Sequence, residues 1–282
     1  MKDARNQAQM ALTLQVAERL DGELKQLTVV ASTIQTALAQ GLDFQEGQLE
    51  SWLKDHLEKH DHIHGITLAY AKGKGPNKKQ DYCLYVYRNL KSPKELQALD
   101  LALLKNYSPP YREWHWFSNQ LEKKNPHWLG PCFDGGPLEE FWMISYSLPI
   151  YRKQECVGVL VVDLRMDYFA RLLGWLQELN VGDNSYGFVV NGEGIRDGRG
   201  KDKTGAFVSH PKFGAGARDD QPPKIINKLD DVDSAFSELA HSILKLEKGR
   251  GTAIDPYTKN RSIFLFARVP STRWTFVMVI PE

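Results

Sequence analysis

The sequence predicts an α+β protein in which a long N-terminal helix precedes two domains with antiparallel sheets. Residues 4–40 contain no proline and only one glycine, Gly22, which indicates an uninterrupted helix. Runs rich in β-branched and aromatic residues then follow in pairs, and the order of helix, strands and final apolar strand pair occurs twice. The predicted organisation is a stalk helix over residues 1–45, a first domain over 46–180 and a second over 181–282.

Composition and charge limit the classes of function. The chain has 282 residues, of which 42% are hydrophobic and 25% charged, as in ordinary globular proteins. Its net charge of +1 provides no overall field, so we expect no nucleic-acid partner. No run reaches the roughly 18 apolar residues of a membrane span, and the N-terminus lacks the hydrophobic region of a signal peptide. The three cysteines have no zinc-binding spacing, and their odd number leaves at least one thiol outside any internal disulfide.

The N-terminal helix is predicted from an apolar seam that advances by three and four residues. Gly41 follows as an expected C-cap, and a helix of this length reaches about 50 Å. Two compatible interpretations remain open: the helix packs along its own domains, or it also pairs with a second copy to form a homodimer. The seam consists of Thr13, Ala17, Leu20, Leu24, Leu27, Ala31, Ile34 and Leu38.

The remaining elements of the first half are predicted in order. A helix is expected over 44–60, then a hairpin with strands at 63–71 and 82–90 around the turn-rich segment 72–81. A helix beginning at a serine is expected over 92–107. Paired prolines make the segment from 109 to 120 irregular or an edge strand. Two strands at 141–151 and 156–165 and a helix over 166–180 complete this half.

The second half repeats the pattern. A strand, a turn and the start of another strand are predicted over 185–198. A segment rich in glycine, charge and proline predicts a long loop from 194 to 224. A helix ended by glycine is expected over 230–249, and paired strands are expected at 251–270 and 274–282.

The order of elements and two motifs resemble the double Cache extracytoplasmic sensor domains of bacterial receptors. The motifs are "PIYRKQECVGVLVVDL" from Pro149 to Leu164 and "WTFVMVIPE" from Trp274 to Glu282, and the resemblance covers nearly the whole chain. It implies two stacked PAS-like domains along the stalk helix, with a small ligand in the membrane-distal domain.

The resemblance also implies a function and a location. The chain would be the periplasmic part of an inner-membrane receptor, a sensor histidine kinase or a chemoreceptor, with one transmembrane helix expected before Met1 and one after Glu282. Such a domain binds its ligand without chemistry and needs no cofactor. Any catalytic output, such as a cytoplasmic histidine kinase, would lie elsewhere in the full-length protein.

The segment "PPYREWHWF", residues 109–117, predicts part of a ligand pocket. A small zwitterion requires a guanidinium for its carboxylate, an acid for its ammonium, and aromatic walls that exclude water. Arg112 and its aromatic neighbours provide the first and third of these. Asp163 provides the second, because a carboxylate at the end of an apolar strand is costly unless it has a partner.

The amino-acid-binding branch of the resembled family adds specific expectations. Arg112, Trp114 and Asp163 match its arginine, tryptophan and aspartate. His115 and Cys132 stand at or near two of its tyrosines, which widens the expected ligands from amino acids to amines and organic acids. The remaining candidates for the ligand-binding set are Tyr111, Tyr146, Trp142 and Asp134, with Trp142 and Tyr146 on one face of a strand.

Other interpretations of these residues stay open. The tryptophans would also serve as plain core, and Arg112 would also pair with an acid on the surface. The spacing of His56, His60, His62 and His64 allows a zinc site, but the favoured explanation is their position near a helix end, where the helix dipole stabilises histidine, and no metal site is predicted. The alternatives to a sensor are a metal-dependent hydrolase, disfavoured because no nucleophile and base are paired, and an interaction module without a ligand.

Overall fold

The computed structural model describes residues 2–40, 46–105, 110–134, 141–166, 168, 171, 173, 182–211 and 236–282. These residues form two compact units. The first unit comprises Gln26–Arg165 together with Asp197–Lys201. The second unit comprises Met1–Lys25, Met166–Arg196 and Asp202–Glu282. The predicted combination of a long helix and two antiparallel sheets is confirmed.

Helix α1, Lys2–Ala39, contributes to both units. Every residue of the predicted apolar seam, from Thr13 to Leu38, is buried, and none is more than 3% exposed. Because the seam follows the helical period, one face of α1 is covered along its length. The predicted C-cap, Gly41, lies outside the described residues. Within the described ranges, no helix combines the length and apolarity that a membrane crossing requires.

The first unit is built on a six-stranded antiparallel sheet in the order β3-β2-β1-β6-β5-β4. Both predicted strand pairs, β1 with β2 and β5 with β6, are confirmed as hairpins. Two helices accompany the sheet, α2, Glu46–Glu58, and α3, His115–Lys123. The strands are β1, Ile63–Tyr70; β2, Cys83–Arg88; β3, Leu96–Asp100; β4, His127–Asp134; β5, Phe141–Arg152; and β6, Glu155–Arg165.

The prediction of a helix over residues 92–107 is wrong. Residues 96–100 form β3, which pairs with β2, and only Leu101–Leu103 form a short 3-10 turn. The side chain of Asn89 accepts hydrogen bonds from the backbone of Lys91 and Ser92 and so turns the chain back beside β2. The backbone groups at the open edge of β2 then obtain partners, and this tertiary pairing outweighs the local helix propensity.

The prediction that residues 109–120 are irregular is also wrong. Tyr111–Glu113 form a 3-10 turn and α3 begins at His115. Proline disrupts the interior of a helix, but it fits immediately before or at the first helical residue, where the missing N–H costs nothing. Pro110 occupies such a position as the N-cap of the 3-10 turn.

Strand β4 was not predicted, since "HWLGPCFD" contains Gly130 and Pro131. Both residues lie at a shift of register between Leu129 and Cys132 on the outermost strand. An edge strand tolerates proline at such an irregularity because no further strand needs its N–H. Strand β4 was therefore missed because Gly130 and Pro131, residue types that usually break strands, interrupt its short alternation of apolar and polar residues.

The second unit contains a five-stranded antiparallel sheet in the order β8-β7-β11-β10-β9. Helix α4, Ser237–Lys245, packs on one face with a cluster of phenylalanines that includes Phe188, Phe264 and Phe266. This helix ends before the predicted glycine because β9 already begins at Lys248. The predicted helix over 166–180 is described only at residues 166, 168, 171 and 173, all of them helical. The strands are β7, Tyr186–Asn191; β8, Phe207–Ser209; β9, Lys248–Ile254; β10, Arg261–Arg268; and β11, Trp274–Pro281.

Candidate ligand-binding site

The register of the first sheet defines the surface on which Asp163 lies. Directly paired residues point to the same face of an antiparallel sheet. Asp163 pairs with Gly65 on β1 and with Ser145 on β5, and Val159 and Val161 precede it on the same face. Because Val159 and Val161 pack against Phe117 of α3, we call this side the α3 face.

Asp163 is a buried carboxylate with a hydroxyl partner. The side chain is 4% exposed, and Ser145 Oγ donates a hydrogen bond of 2.6 Å to its Oδ1. Burial of an ionised carboxylate is costly unless charged or hydrogen-bonding groups surround it. The end of β6 therefore holds a polar centre within an otherwise apolar strand.

The absence of a side chain at Gly65 allows a tyrosine to approach this centre. A Cβ atom at position 65 would lie 2.5 Å from Cε2 and 2.7 Å from Oη of Tyr85. The phenol therefore lies over Gly65, which is paired with Asp163. Paired Cβ positions are about 4.5–5.5 Å apart, so the Tyr85 hydroxyl borders the carboxylate.

An aromatic wall continues from Tyr85. Its ring stacks on that of Tyr87 with centroids 5.0 Å apart, and the Tyr87 hydroxyl donates to Gln97 at 2.6 Å. His64, 3% exposed, lies in the irregularity of β1 beside Gly65 and contacts Phe141 with ring centroids 4.3 Å apart. Rings of this kind exclude water and strengthen the polar interactions they enclose.

Further polar side chains lie on the same face near Asp163. Thr67 and Ser147 both pair with Val161 and are 7% and 0% exposed. Arg165 follows Asp163 by two residues and is partly exposed. Alternate residues of a strand share a face and are roughly 6.6 Å apart. The α-carbon of Arg165 thus lies about 6.6 Å from that of Asp163, and Thr67 and Ser147 flank Val161, one step further back along β6, on the same face.

The structure places Tyr111 and Arg112 at the other end of the sheet. Tyr111 is 2% exposed, and its hydroxyl donates to Tyr70 O at 2.6 Å. Burial raises its pKa to about 12, which keeps the hydroxyl protonated. Arg112 Nη2 lies 2.7 Å from Asp81 Oδ1. Tyr70 is five residues beyond Gly65 on β1, or about 17 Å along the strand, so neither group is brought to Asp163.

Trp114 and His115 contact a short segment of the first unit, Asp197–Lys201. Arg199 Cζ lies 5.4 Å from the centroid of the Trp114 ring, and a Cβ atom at Gly200 would lie 2.7 Å from His115 Cδ2. The N–H of Trp116 donates to Gly198 O at 3.2 Å. The rings of residues 109–117 therefore have two different roles. Tyr111 and Phe117 pack in the hydrophobic core, whereas Trp114 and His115 contact the 197–201 segment.

The remaining predicted residues are distributed over both faces. Tyr146 pairs with Val162, so Tyr146 and Trp142 lie on the face opposite Asp163. Burial raises the pKa of Tyr146, whose ring packs on Trp128 with centroids 4.9 Å apart. Cys132 pairs with Met143 and lies on the Asp163 face as a half-buried thiol. The side chain of Asp134 lies outside the described set.

Sequence reasoning missed most of the groups that surround Asp163, and the two-residue period of the strands was the available signal. Once β1, β5 and β6 are placed side by side, residues of one parity share a face. Without the pairing register, however, that period cannot connect separate strands. The missed residues are Gly65, Thr67, Tyr85, Tyr87, Ser145, Ser147, Arg165 and, as part of this site, His64.

The four histidines considered for zinc are engaged in local contacts. His56 packs edge-on against Trp52 with centroids 4.9 Å apart, and burial lowers its pKa. His60 and His62 contact each other with centroids 5.7 Å apart. Among the residues that the structure describes, no group of three or more His, Cys, Asp or Glu side chains could hold a metal ion.

Comparisons with known proteins support a sensor domain. Residues 49–171 match the family described as methyl-accepting chemotaxis protein-like, first PDC sensor domain. No curated protein has a significantly similar sequence. The double Cache resemblance is confirmed at the level of the fold by the solved structures that follow.

Three solved structures illustrate the likeness. The extracellular domain of mmHK1S-Z3, a candidate histidine kinase, has 17% identity and a TM-score of 0.77, with 99% of this chain and 95% of that chain covered. The periplasmic sensory domain of Campylobacter jejuni chemoreceptor Tlp1 has 13% identity and a TM-score of 0.68, with 97% and 93% covered. The ligand-binding domain of Pseudomonas aeruginosa PAO1 amino-acid chemoreceptor PctC, in complex with GABA, has 15% identity and a TM-score of 0.63, with 98% and 99% covered.

Proposed function

We propose that the chain is the extracytoplasmic sensing region of a transmembrane receptor, because residues 49–171 match the methyl-accepting chemotaxis protein-like family of first PDC sensor domains. In this proposal the first unit binds a small ammonium-bearing ligand on its α3 face and does no chemistry on it. The similar structures are described as extracellular or periplasmic domains, which supports this location.

The observation that carries the proposal is the buried carboxylate of Asp163. A ligand ammonium can interact with its charge and with the oxygens of Ser145 and Tyr85, so the cost of burying the carboxylate is offset when ligand is present. The stacked rings of Tyr85 and Tyr87 add a surface that attracts cations. Together these groups favour an amine, an amino acid or a related zwitterion over a simple anion.

Two guanidinium groups are candidates for a ligand carboxylate. Arg165 is two residues from Asp163 and so matches a short zwitterion, whereas Arg112, the candidate from sequence, pairs with Asp81. An arginine can hold a carboxylate with two parallel hydrogen bonds. We therefore assign this role to Arg165, and Arg112 serves as its matched control. PctC, whose fold is similar, was solved with GABA, which carries both an ammonium and a carboxylate.

The experiment is a thermal-shift screen of the protein against amino acids, simple amines, polyamines and small carboxylates. A ligand that binds only the folded state raises the melting temperature by mass action. We expect a hit among the ammonium compounds, lost in Asp163→Asn. If the hit also carries a carboxylate, we expect Arg165→Gln to weaken it and Arg112→Gln to leave it unchanged. A hit retained in Asp163→Asn contradicts the site, and hits among carboxylates alone contradict the ligand class.

We further propose that ligand capture is relayed through α1, which contributes to both units. A ligand with different affinities for two packings of this helix shifts their populations, and this shift is the signal. The output expected in the full-length receptor is a histidine kinase or a chemotaxis module, and α1 is proposed as the contact of a homodimer. A protein that binds no small molecule in the screen would instead favour the interaction-module alternative.

A further inference from the structure

Three turns at one end of the first sheet bring basic side chains together. Segment 71–82 connects β1 to β2, residues 153–154 connect β5 to β6, and the C-terminal end of α3 leads to β4. Eight basic residues lie in these turns or at the ends of the elements that flank them, and we call them the basic patch: Lys72, Lys74, Lys78, Lys79, Lys123, Lys124, Arg152 and Lys153.

Hydrogen bonds between the three turns show that they are neighbours. Ala71 N–H donates to Val157 O at 2.9 Å and so joins the first turn to the start of β6. The hydroxyl of Tyr151 donates to Lys124 O at 3.3 Å, which joins the β5–β6 turn to the end of α3. The basic patch is thus one continuous surface in the structure, although its members are far apart in sequence.

The positive charge of the basic patch exceeds the acidic charge of the same segments. Of the acids in the same segments, Glu155 pairs with Lys74 at 2.8 Å and Asp81 pairs with Arg112 at 2.7 Å, which leaves Glu122. Six of the eight basic residues are exposed. Since the whole chain has a net charge of only +1, this excess is a local property of the surface. Concentrated charge of one sign steers an oppositely charged partner during association.

We propose that the basic patch is a docking surface for an acidic face of a partner protein, separate from the small-ligand site. Seven of its eight members are lysines, whose compact charges steer acidic partners but do not form the planar paired hydrogen bonds of arginine. Arg152, the eighth member, lies over the Tyr70 ring at 5.7 Å. This composition favours electrostatic docking on a carboxylate-rich surface over selective binding of phosphate groups.

The test uses poly-L-glutamate as the probe of carboxylate-rich surfaces and inorganic polyphosphate as the competing probe. Biolayer interferometry would compare the wild type with Lys72→Glu/Lys123→Glu/Lys153→Glu, which changes one residue in each turn. Lys59→Glu/Lys91→Glu/Lys248→Glu changes the net charge equally at exposed positions elsewhere and is the control. A cooperative thermal transition and retention of the small-ligand response show that each variant is folded and that the proposed ligand site is intact.

We expect the association rate with poly-L-glutamate to fall roughly ten-fold or more in the patch variant and by less than about two-fold in the control. Raising the salt concentration should reduce the wild-type rate towards that of the patch variant. Equal losses in the two variants, or no binding of poly-L-glutamate to the wild type at low salt, would overturn the proposal. Preference of the wild type for polyphosphate would overturn it in favour of a phosphate-bearing polymer.

Discussion

At the scale of single residues, Gly65 controls the space beside Asp163. A Cβ atom there would overlap the Tyr85 ring at 2.5 Å, so Gly65→Ala must displace Tyr85 or the backbone of β1. We expect the free energy of unfolding to fall by about 1–3 kcal/mol and the ligand-induced thermal shift to disappear. Denaturant titration and the thermal-shift assay measure the two effects.

Gly22→Ala provides the control for this prediction. A Cβ atom at Gly22 would meet nothing within 4 Å, and alanine in a helix is more stable than glycine by roughly 0.5–1 kcal/mol. This variant should therefore gain stability and keep the ligand response. A Gly65→Ala protein with unchanged binding would show that the Tyr85 hydroxyl has no role in the site.

Asp21 gives a residue-scale prediction about pH. Its carboxylate accepts from the backbone N–H of Ser271 at 2.5 Å and from the Ser271 hydroxyl, and it lies 2.6 Å from Lys25 Nζ. Burial alone would raise the pKa of Asp21, but its hydrogen bonds with Lys25 and Ser271 outweigh burial, and the pKa is lowered. The folded state therefore binds this proton less readily than the unfolded state does.

The stability contributed by Asp21 is present above its unfolded pKa of about 3.9 and is lost as pH falls through the lower folded value. Asp21→Ala should cost about 1–3 kcal/mol at pH 7, because Ser271 loses its acceptor. The difference in melting temperature from the wild type should shrink near pH 3. Glu18→Ala, at an exposed position of the same helix, should have little effect on the melting temperature and serves as the control. A loss of stability in Asp21→Ala that does not change with pH would contradict the lowered pKa of Asp21.

At the scale of elements, the 197–201 segment explains part of the aromatic run at 109–117. Gly200 has φ of +81° and its α-carbon faces the His115 ring. Gly200→Ala adds backbone strain and a contact of 2.7 Å to His115 Cδ2, and should cost about 1 kcal/mol or more. We expect the segment to leave its position, which faster tryptic cleavage after Arg199 or Lys201 would detect.

Gly198→Ala is the matched control within the same segment. Its Cβ atom would lie 3.6 Å from Trp116 Cδ1, an ordinary van der Waals distance. Cleavage of this variant should proceed at the wild-type rate. Equal acceleration in both variants would mean that the contact with His115 does not hold the segment.

Secondary structure was predictable from sequence where the pattern of apolar residues was long. The prediction was wrong where pairing with a distant strand determined the conformation. The seam of α1 has a helical period over many residues, and the continuous apolar run of β6 is typical of a strand buried on both faces. Strand β3 does not, because its conformation depends on the open edge of β2 and on the turn at Asn89. The start of α3 was missed because the paired prolines were interpreted as disrupting a helix that they precede.

At the scale of the whole molecule, the sequence predicted the α+β class and the antiparallel sheets, and it predicted Asp163 as a site candidate. It did not predict the residues around Asp163, since Ser145, Tyr85 and Gly65 become neighbours only through the register of four strands. The same register places Tyr146 on the opposite face, and the contacts of Tyr111 with Tyr70 and of Arg112 with Asp81 place Arg112 at the other end of the sheet. A candidate site assembled across a sheet thus requires pairing information that no single segment contains.

The most direct test of the central claim is isothermal titration of the wild type and Asp163→Asn with the strongest ammonium compound from the screen, followed by NMR of the recovered ligand. We predict one bound molecule per chain, chemically unchanged, and an affinity reduced by roughly 30-fold or more in the variant, as expected when one partner of a buried charged pair is removed. Equal affinity for the two proteins, or conversion of the ligand, would contradict the account.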